Sequence, residues 1–522
     1  MICRACFNLT AQDQNGVNAA DFNPPAPDSE SRERSIVWLL CLLAVVHVFF
    51  FSATFPFFNN VDEQTHLDLV VRYSQARIPH ALDAPCQEAM LYFVIYNTPE
   101  YLWAPDTYPG GQIPKPPWTQ PMNQVKPMLL SRLAAWQNVK NHEVSQPPLY
   151  YALAGLWWRL GKMCGFHDGR LLYWVRFLNV VFAVALVRLG FATARMIFPD
   201  NAFLKLGVPA LLAFLPQTVF YSIQNDVLSP LCFGAAFICL VKLLRADAPG
   251  VWLGTATGLA LAATYLTKIS NLPLLAVSGA VVLFKISRLA KAGELRAAFP
   301  ALAALALCAG LPIGGWLAWT KCHFGDFTGT AAKIQFLGWT HKSFGEWWQH
   351  PIFTPHGFWT FVSGLLATFW QGEFLWHRQP LASPAVNAIY AISSIGFVGV
   401  AVVALLFRST VATGPQRQAL WLGFWCLVSA MVFLGFLSII YDFQDCFYPS
   451  RAHPYFTSGR LMLGALIPFL LLYLYGLDRA LCCVKNSWLR PLVLIGLILF
   501  MLISEILTDW QLFPNAYNWF HM

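Results

Sequence analysis

The feature that most restricts what this chain can fold into is a succession of long apolar runs. The first lies at 36–58, and others follow at 171–194, 203–222, 226–245, 251–267, 271–287, 299–320, 384–407, 418–440, 459–480 and 490–508. A helix rises about 1.5 Å per residue, so roughly 20 apolar residues match the ~30 Å hydrocarbon layer of a bilayer. Only 11% of the residues are charged, against about 25% in a soluble domain, which is too few to build a water-facing surface. The same shortage excludes a disordered chain, a coiled coil and a nucleic-acid binder. The expectation is an all-α polytopic membrane protein.

The net charge of +8 then reads as Lys and Arg anchoring helix ends. Two apolar segments are ambiguous. The 149–164 segment is short and carries Arg159 and Lys162, and the 356–376 segment carries Trp359, Trp370, Gln371 and Glu373. With both lying flat in the outer interface and the N-terminus inside, the short-loop cations fall on one side. These are Arg195; Lys242 and Arg245; Lys285, Arg288, Lys291 and Arg296; Arg408 and Arg417; Arg479, Lys485 and Arg490. That is the positive-inside pattern. It gives about 11 membrane helices, up to 13 with the in-plane segments counted. Residues 1–33 read as a disordered inner tail, 59–170 as a large outer loop with amphipathic helices near 61–77 and 127–141, and 321–383 as a second outer loop with interfacial helices. The C-terminal membrane helices follow over 384–508, and 509–522 form an outer tail. The first run is too long for a cleaved signal peptide. Cys86, Cys322 and Cys446 fall in loops and are expected to be free thiols.

Charged and amide residues gather on the outer side. Val61-Asp62-Glu63-Gln64-Thr65-His66 opens the first outer loop, and Asp62, Glu63 and His66 are near neighbours on a helix start. Helix capping by Asp62 or Glu63 is the alternative. Asn225-Asp226 stands between two spans with almost no loop, where a carboxylate near hydrocarbon is costly; capping is again the alternative. Lys268 sits between two spans, and Arg451 and Arg460 flank the run at 459–480. The cations suit phosphate oxygens, or else snorkel to lipid headgroups. Outer-loop Trp103, Trp118, Trp136, Trp339, Trp347 and Trp348 suit an interfacial aromatic belt better than sugar stacking. No Asp-x-Asp or other metal-ligand set is evident.

An Asp-Glu pair just after the first span, then Ser145-Gln146-Pro147-Pro148, Asn225-Asp226 and Thr267-Lys268 in this order, resembles the GT-C superfamily of membrane glycosyltransferases. That group includes the protein O-mannosyltransferases and the bacterial aminoarabinose transferases. The likeness covers roughly the first 290 residues and is nearest to a branch of predicted bacterial membrane proteins of unassigned function. Where relatives carry His-Pro-Pro or Glu-Lys-Pro, this chain has Gln146-Pro147-Pro148. The resemblance implies that residues 34–320 form a catalytic module acting on the periplasmic face of a bacterial inner membrane. It also implies a polyprenyl-phosphate-sugar donor and a lipid, glycan or protein acceptor. In that reading Asp62 is the general base and Glu63 orients a substrate. Lys268 and Arg460, with Arg451 third, neutralise the leaving phosphate, and the reaction inverts the sugar. His66, Gln146, Asn225 and Asp226 complete the substrate contacts. A divalent Mg or Mn ion is compatible with the carboxylates, and no other cofactor is expected. The competing readings are a lipid-linked sugar flippase, whose charges would lie nearer the bilayer midplane, and a non-catalytic assembly scaffold.

Overall fold

The computed structural model describes residues 27–407, 412–446, 448–482 and 488–522. Among these, nine helices are long and apolar enough to span a membrane: Glu30–Thr54, Asp168–Ile197, Asn225–Arg245, Ile269–Ala292, Leu295–Phe324, Pro384–Leu406, Gly414–Ile440, Gly459–Leu481 and Leu489–Thr508. Two shorter apolar helices, Ala202–Ala213 and Val251–Thr267, stand where the other two runs were expected. Among the described residues extended structure is limited to two two-residue pairings, Thr340–His341 with Tyr441–Asp442 and Leu375–Trp376 with Gln379–Pro380, and an isolated bridge between Asn60 and Phe374. The chain is an all-α polytopic membrane protein.

The Gly459–Leu481 segment is the central element. Its apolar window is 94% buried, and its helical part packs against Pro384–Leu406, Gly414–Ile440 and Ala202–Ala213. Leu295–Phe324 and Leu489–Thr508 lie at the rim, with side chains such as Leu311 and Leu507 largely exposed, as lipid-facing residues should be.

The run at 203–222 departs from a simple span. Its helix ends at Ala213, because Pro216 supplies no N–H and disfavours helical geometry before it. The chain continues through short 3-10 turns at Thr218–Tyr221 and Asn225–Leu228, and all of residues 215–228 are buried. Irregular backbone at membrane depth persists only where protein satisfies it. Here Asn179 Nδ2 donates to the carbonyls of Phe220 and Ser222 at 3.1 and 2.7 Å. Gln217 Oε1 accepts from the Val219 N–H at 3.4 Å, while its Nε2 donates to the carbonyls of Thr368 and Phe369 at the end of the Pro355–Gln371 helix, at 3.1 and 2.7 Å.

The first helix begins at Pro27, inside the stretch expected to be a disordered tail. Glu30 pairs with Arg195 at 2.7 Å and Glu33 with Lys205 at 2.5 Å, and acidic residues near a helix N-terminus also favour its dipole. Residues 1–26, Arg408 and Lys485 lie outside the described residues. At the same end of the bundle Arg245 donates to the Met196 carbonyl at 3.1 Å, and Arg479 and Arg490 each meet Asp478 at 3.0 Å.

Neither ambiguous segment counts among the spans. Leu149–Met163 buries Tyr150, Tyr151, Ala154 and Trp158, and packs on Glu63–Ser74. Its other face exposes Leu153, Leu156 and Met163, an amphipathic division suited to an interface. Pro355–Gln371 buries Phe361, Leu365, Phe369 and Trp370. In the first outer loop the helices are Glu63–Ser74, Gln87–Tyr96 and Met122–Trp136; the last starts five residues before its expected position, with Pro127 in its opening turns. Cys86, Cys322 and Cys446 are free.

Candidate active site

The chain leaves the first membrane helix through Asn59–Asp62. Asp62 has φ 65° and ψ 8°, a left-handed conformation that non-glycine residues adopt only where their surroundings impose it. It occupies the N-cap position of Glu63–Ser74, yet its carboxylate makes no capping bond. It accepts instead from Arg460 Nη2 at 2.6 Å and faces His142 Nε2 at 3.4 Å. Capping therefore does not account for Asp62.

Glu63 points the other way and is fully buried. Its oxygens accept from Arg176 Nε and Nη2, both at 2.9 Å, and from the N–H groups of Phe58 at 2.8 Å and Ile223 at 3.0 Å. Arg176 also donates to the carbonyls of Phe55 and Pro56 at 2.5 and 3.0 Å. This bidentate pair ties the end of the first span to the irregular segment near 223. The expectation that Glu63 orients a substrate is corrected accordingly: its acceptor sites are filled from within the protein.

Arg460 gathers the cluster. Gly459 lies so close to the helix beside it that a Cβ there would stand 2.1 Å from Phe369 N, so only glycine lets Arg460 reach inward. Arg460 Nε donates to Glu373 Oε2 at 3.0 Å, and Nη1 reaches Gln224 Oε1 at 3.1 Å and Asp226 Oδ2 at 3.5 Å. Gly372, at φ +86°, turns the chain so that Glu373 meets Arg460; a Cβ there would strike Thr218 Oγ1 at 2.1 Å. Lys268 Nζ donates to Asp226 Oδ2 at 2.5 Å. The helix after Asp226 has Leu228 as its N-cap, so Asp226 is not its cap either.

A second line of contacts runs from Asp62. His142 Nε2 lies 3.5 Å from Glu143 Oε1, Lys333 pairs with the same Glu143 oxygen, and Gln146 Nε2 donates to Glu143 Oε2 at 2.6 Å. Asn225 Nδ2 donates to Gln146 Oε1 at 3.4 Å and to the Thr267 carbonyl at 3.1 Å. His66 Nδ1 meets the Tyr151 hydroxyl at 2.7 Å, and burial pushes its pKa down to about 4. Asp62, His66, Gln146, Asn225, Asp226, Lys268 and Arg460 thus join one neighbourhood. Arg451 does not, because the 441–454 segment folds onto Thr340–His341. It carries Arg451, 61% exposed, to Asp442 at 3.1 Å. His142, Glu143 and Lys333 escaped the sequence reading, and Glu373 was noted only as part of the ambiguous 356–376 segment. His142-Glu143 stands just ahead of the singled-out Gln146-Pro147-Pro148, and Gln224 adjoins the singled-out Asn225-Asp226, so both were recoverable.

Four carboxylates (Asp62, Glu143, Asp226, Glu373) face three fixed cations, Lys268, Lys333 and Arg460. Burial alone would raise Asp62, but Arg460, then His142 and Lys333, outweigh it and hold the carboxyl well below the usual range. For Glu143 burial is again opposed, chiefly by Lys333, and the pKa falls to about 2. Glu373 is the exception: burial raises it despite Arg460. Asp62, His142 and Lys333 keep 20–26% of their side chains exposed, whereas Asp226, Lys268 and Arg460 keep 1–8%. A solute therefore meets the first three before the others. Among the described residues His66 Nε2, Asn225 Oδ1, Asp226 Oδ1 and Glu373 Oε1 are buried without a hydrogen-bond partner. Such atoms are expensive to bury unmatched, and they suit a polar ligand.

Ligand atoms of Asp62, His142 and Glu143 lie within 4.8 Å of one another. Two carboxylate oxygens and an imidazole nitrogen form a donor set that fits a divalent cation such as Mn or Zn. The Lys333 ammonium occupies a Glu143 lone pair that such an ion would need.

None of the curated proteins matches the sequence. Among solved structures, the archaeal oligosaccharyltransferase AglB from Archaeoglobus fulgidus, in complex with an inhibitory peptide and a dolichol-phosphate, aligns with 94% of this chain. The match has 11% identity and a TM-score of 0.37, a likeness too low to carry an argument, and spans 56% of that protein's length. A family model described as a predicted membrane protein, DUF2142, matches residues 43–441. That stretch is more than half of the chain and holds every residue of the cluster but Arg460, and the protein belongs to this family.

Proposed function

We propose that this protein is a GT-C type glycosyltransferase that moves a sugar from a polyprenyl-phosphate donor to an acceptor hydroxyl of a lipid, glycan or protein. The reaction takes place at the end of the bundle where Asp62, Asp226, Lys268 and Arg460 meet. In this reading that end faces the periplasm of a bacterial inner membrane. The observation that carries the proposal is the Asp62–Arg460–Asp226–Lys268 ion cluster, drawn from four distant chain segments. Its fixed cations suit a phosphate, and its accessible carboxylate suits a hydroxyl.

A carboxyl held far below its usual range is a weak base. Donor binding removes that restraint. A phosphate bridging Lys268 and Arg460 competes for the guanidinium that holds Asp62 down, so the Asp62 pKa climbs toward that of an ordinary carboxylate. Asp62 then takes the acceptor's proton as the acceptor oxygen bonds to the anomeric carbon. The bond from that carbon to the phosphate oxygen breaks, and polyprenyl phosphate leaves with the electron pair against Arg460 and Lys268. A single displacement inverts the anomeric centre. His66 Nε2, Asn225 Oδ1 and Asp226 Oδ1 are free to bond sugar hydroxyls. A divalent cation would be held by Asp62, His142 and Glu143 and would supply positive charge; the base role of Asp62 belongs to the metal-free site, because a metal-bound carboxylate would stay a weak base.

The test is purified protein incubated with a labelled polyprenyl-phosphate sugar, scored for released polyprenyl phosphate. Release that disappears in Asp62→Asn supports the proposal. Lipid movement across vesicles that survives the same substitution, with no release, points to a flippase instead.

A further inference from the structure

The end of the bundle opposite Asp62 holds a cavity of ≈ 720 Å³ between the first membrane helix and Leu178–Ile197, closed on one side by Leu231. Three arginines line it, Arg34, Arg188 and Arg195, and most of the remaining wall is apolar, with Trp38 and Phe191 prominent. Arg34 and Arg195 share a single carboxylate, Glu30, at 3.4 and 2.7 Å. Arg188 has no ion pair among the described residues; its guanidinium lies 4.6 Å from the centre of the Trp38 ring. Arg188 precedes Arg195 by seven residues, hence sits about 10 Å further into the membrane. A guanidinium at that depth is costly unless an anion meets it.

We propose that this cavity binds the phosphate of an anionic diacyl phospholipid from the leaflet opposite the Asp62 cluster. The Arg188 fork takes two phosphate oxygens in parallel, Arg34 and Arg195 approach from the interface, and an acyl chain follows Phe191 and Leu231. The apolar wall and the 60% exposed Trp38 select a lipid over free phosphate. The sign of the charge selects an anionic lipid, because three guanidinium groups face one carboxylate and a choline headgroup would add a fourth cation. Basic pockets between membrane helices bind anionic headgroups by the same balance. The site is remote from the proposed transfer centre and does not depend on it.

The experiment uses the full chain, purified in neutral detergent, stripped of lipid and titrated with phosphatidylglycerol or phosphatidylcholine of identical acyl chains, with bound lipid counted by native mass spectrometry. One phosphatidylglycerol is expected to bind about tenfold more tightly than phosphatidylcholine, the scale of one charge-assisted contact. Arg188→Gln should abolish the preference and Arg188→Lys should keep part of it. Arg34→Gln, a change at a largely exposed side chain, should weaken it about threefold even if the Arg188 variants fail to fold. Lys291→Gln, at the same end of the bundle but outside the cavity, should leave it intact. Equal binding of the two lipids would overturn the proposal. So would an effect of Lys291→Gln as large as that of the arginine changes, which would mean a diffuse basic surface.

Discussion

The adjacent acids Asp62 and Glu63 should fail in opposite ways, and the Glu63–Arg176 pair allows the size of one failure to be worked out. Arg176 is 1% exposed and Glu63 0%. In Arg176→Met the Glu63 carboxylate keeps two backbone N–H donors, from Phe58 and Ile223, but loses both guanidinium bonds. Hydrogen bonds to charged groups contribute about 1.5–3 kcal/mol each, and removing one partner of a buried ion pair costs about 3–5 kcal/mol. A loss near 4 kcal/mol is the expected outcome, with the folded-to-unfolded ratio falling almost a thousandfold. Glu63→Gln combined with Arg176→Met removes the stranded charge, and the Gln oxygen still accepts from one backbone N–H. The double variant should therefore recover at least half of the loss. The assay is the fraction of detergent-solubilised protein that remains monodisperse after heating, measured by size-exclusion chromatography for the two single variants and the double. If the double variant is as damaged as Arg176→Met, the loss comes from packing and the stranded-charge argument fails.

Asp62→Asn should do the reverse. Asn tolerates the left-handed conformation of position 62 better than most residues, so the heat profile should stay close to wild type while polyprenyl phosphate release falls at least ~100-fold, the range of a lost general base. Acidification should destabilise the fold in two stages. The unfolded chain takes up the His66 proton near pH 6.5 whereas the folded one resists until about 4, so stability falls across that interval as pH drops. Glu143, ordinarily near 4.5 and here about 2, adds a loss as pH falls below 4.5. Melting profiles at successive pH values check both, and His66→Asn should flatten only the upper interval. Titration with Mn ions, followed by electron paramagnetic resonance, tests the Asp62–His142–Glu143 donor set. Lys333→Met should tighten binding about tenfold or more by freeing the Glu143 lone pair and removing a like charge. Unchanged affinity would mean that the ion, if held, sits elsewhere.

Much of this architecture was legible because hydropathy and charge act over whole segments. The apolar runs located the helices, and sparse loop cations indicated which ends share a side. Local rules failed where tertiary contacts replaced them. The 203–222 run was read as one span, although Pro216 breaks its helix, and the sequence does not show that Asn179 and Gln217 would bond the backbone freed there. Asp62 and Glu63 are adjacent and chemically alike, and only the fold separates them. Arg176, lodged in an otherwise apolar stretch, claims Glu63, while Arg460, nearly 400 residues away, claims Asp62. Glu373 and Lys333 come from an outer loop with no periodicity to advertise them. Arg451, ranked behind Arg460 in the sequence, separates from it altogether in the fold: the Gly459 contact with Phe369 directs Arg460 inward, and a two-residue strand pairing holds Arg451 outside.

The depth of the cluster explains why so many of its members are paired within the protein. Near a low-dielectric layer an unpaired charge is expensive and a paired one is strongly held, so the fold can keep Asp226, Lys268 and Arg460 buried only by setting them against each other. That arrangement resists opening until something of matching charge arrives. A phosphate supplies such a match to the cations and leaves Asp62 without its guanidinium. A neutral sugar does not. On the function proposed above, a cluster built this way would stay closed toward free sugars and engage when a lipid-borne phosphate brings the sugar with it. Binding of the donor phosphate alone should therefore raise the apparent Asp62 pKa, read as an alkaline shift of its carboxyl infrared band titration in the presence of polyprenyl phosphate. An unchanged titration with the lipid bound would show that Arg460 never releases Asp62, and would remove the base from the proposed reaction.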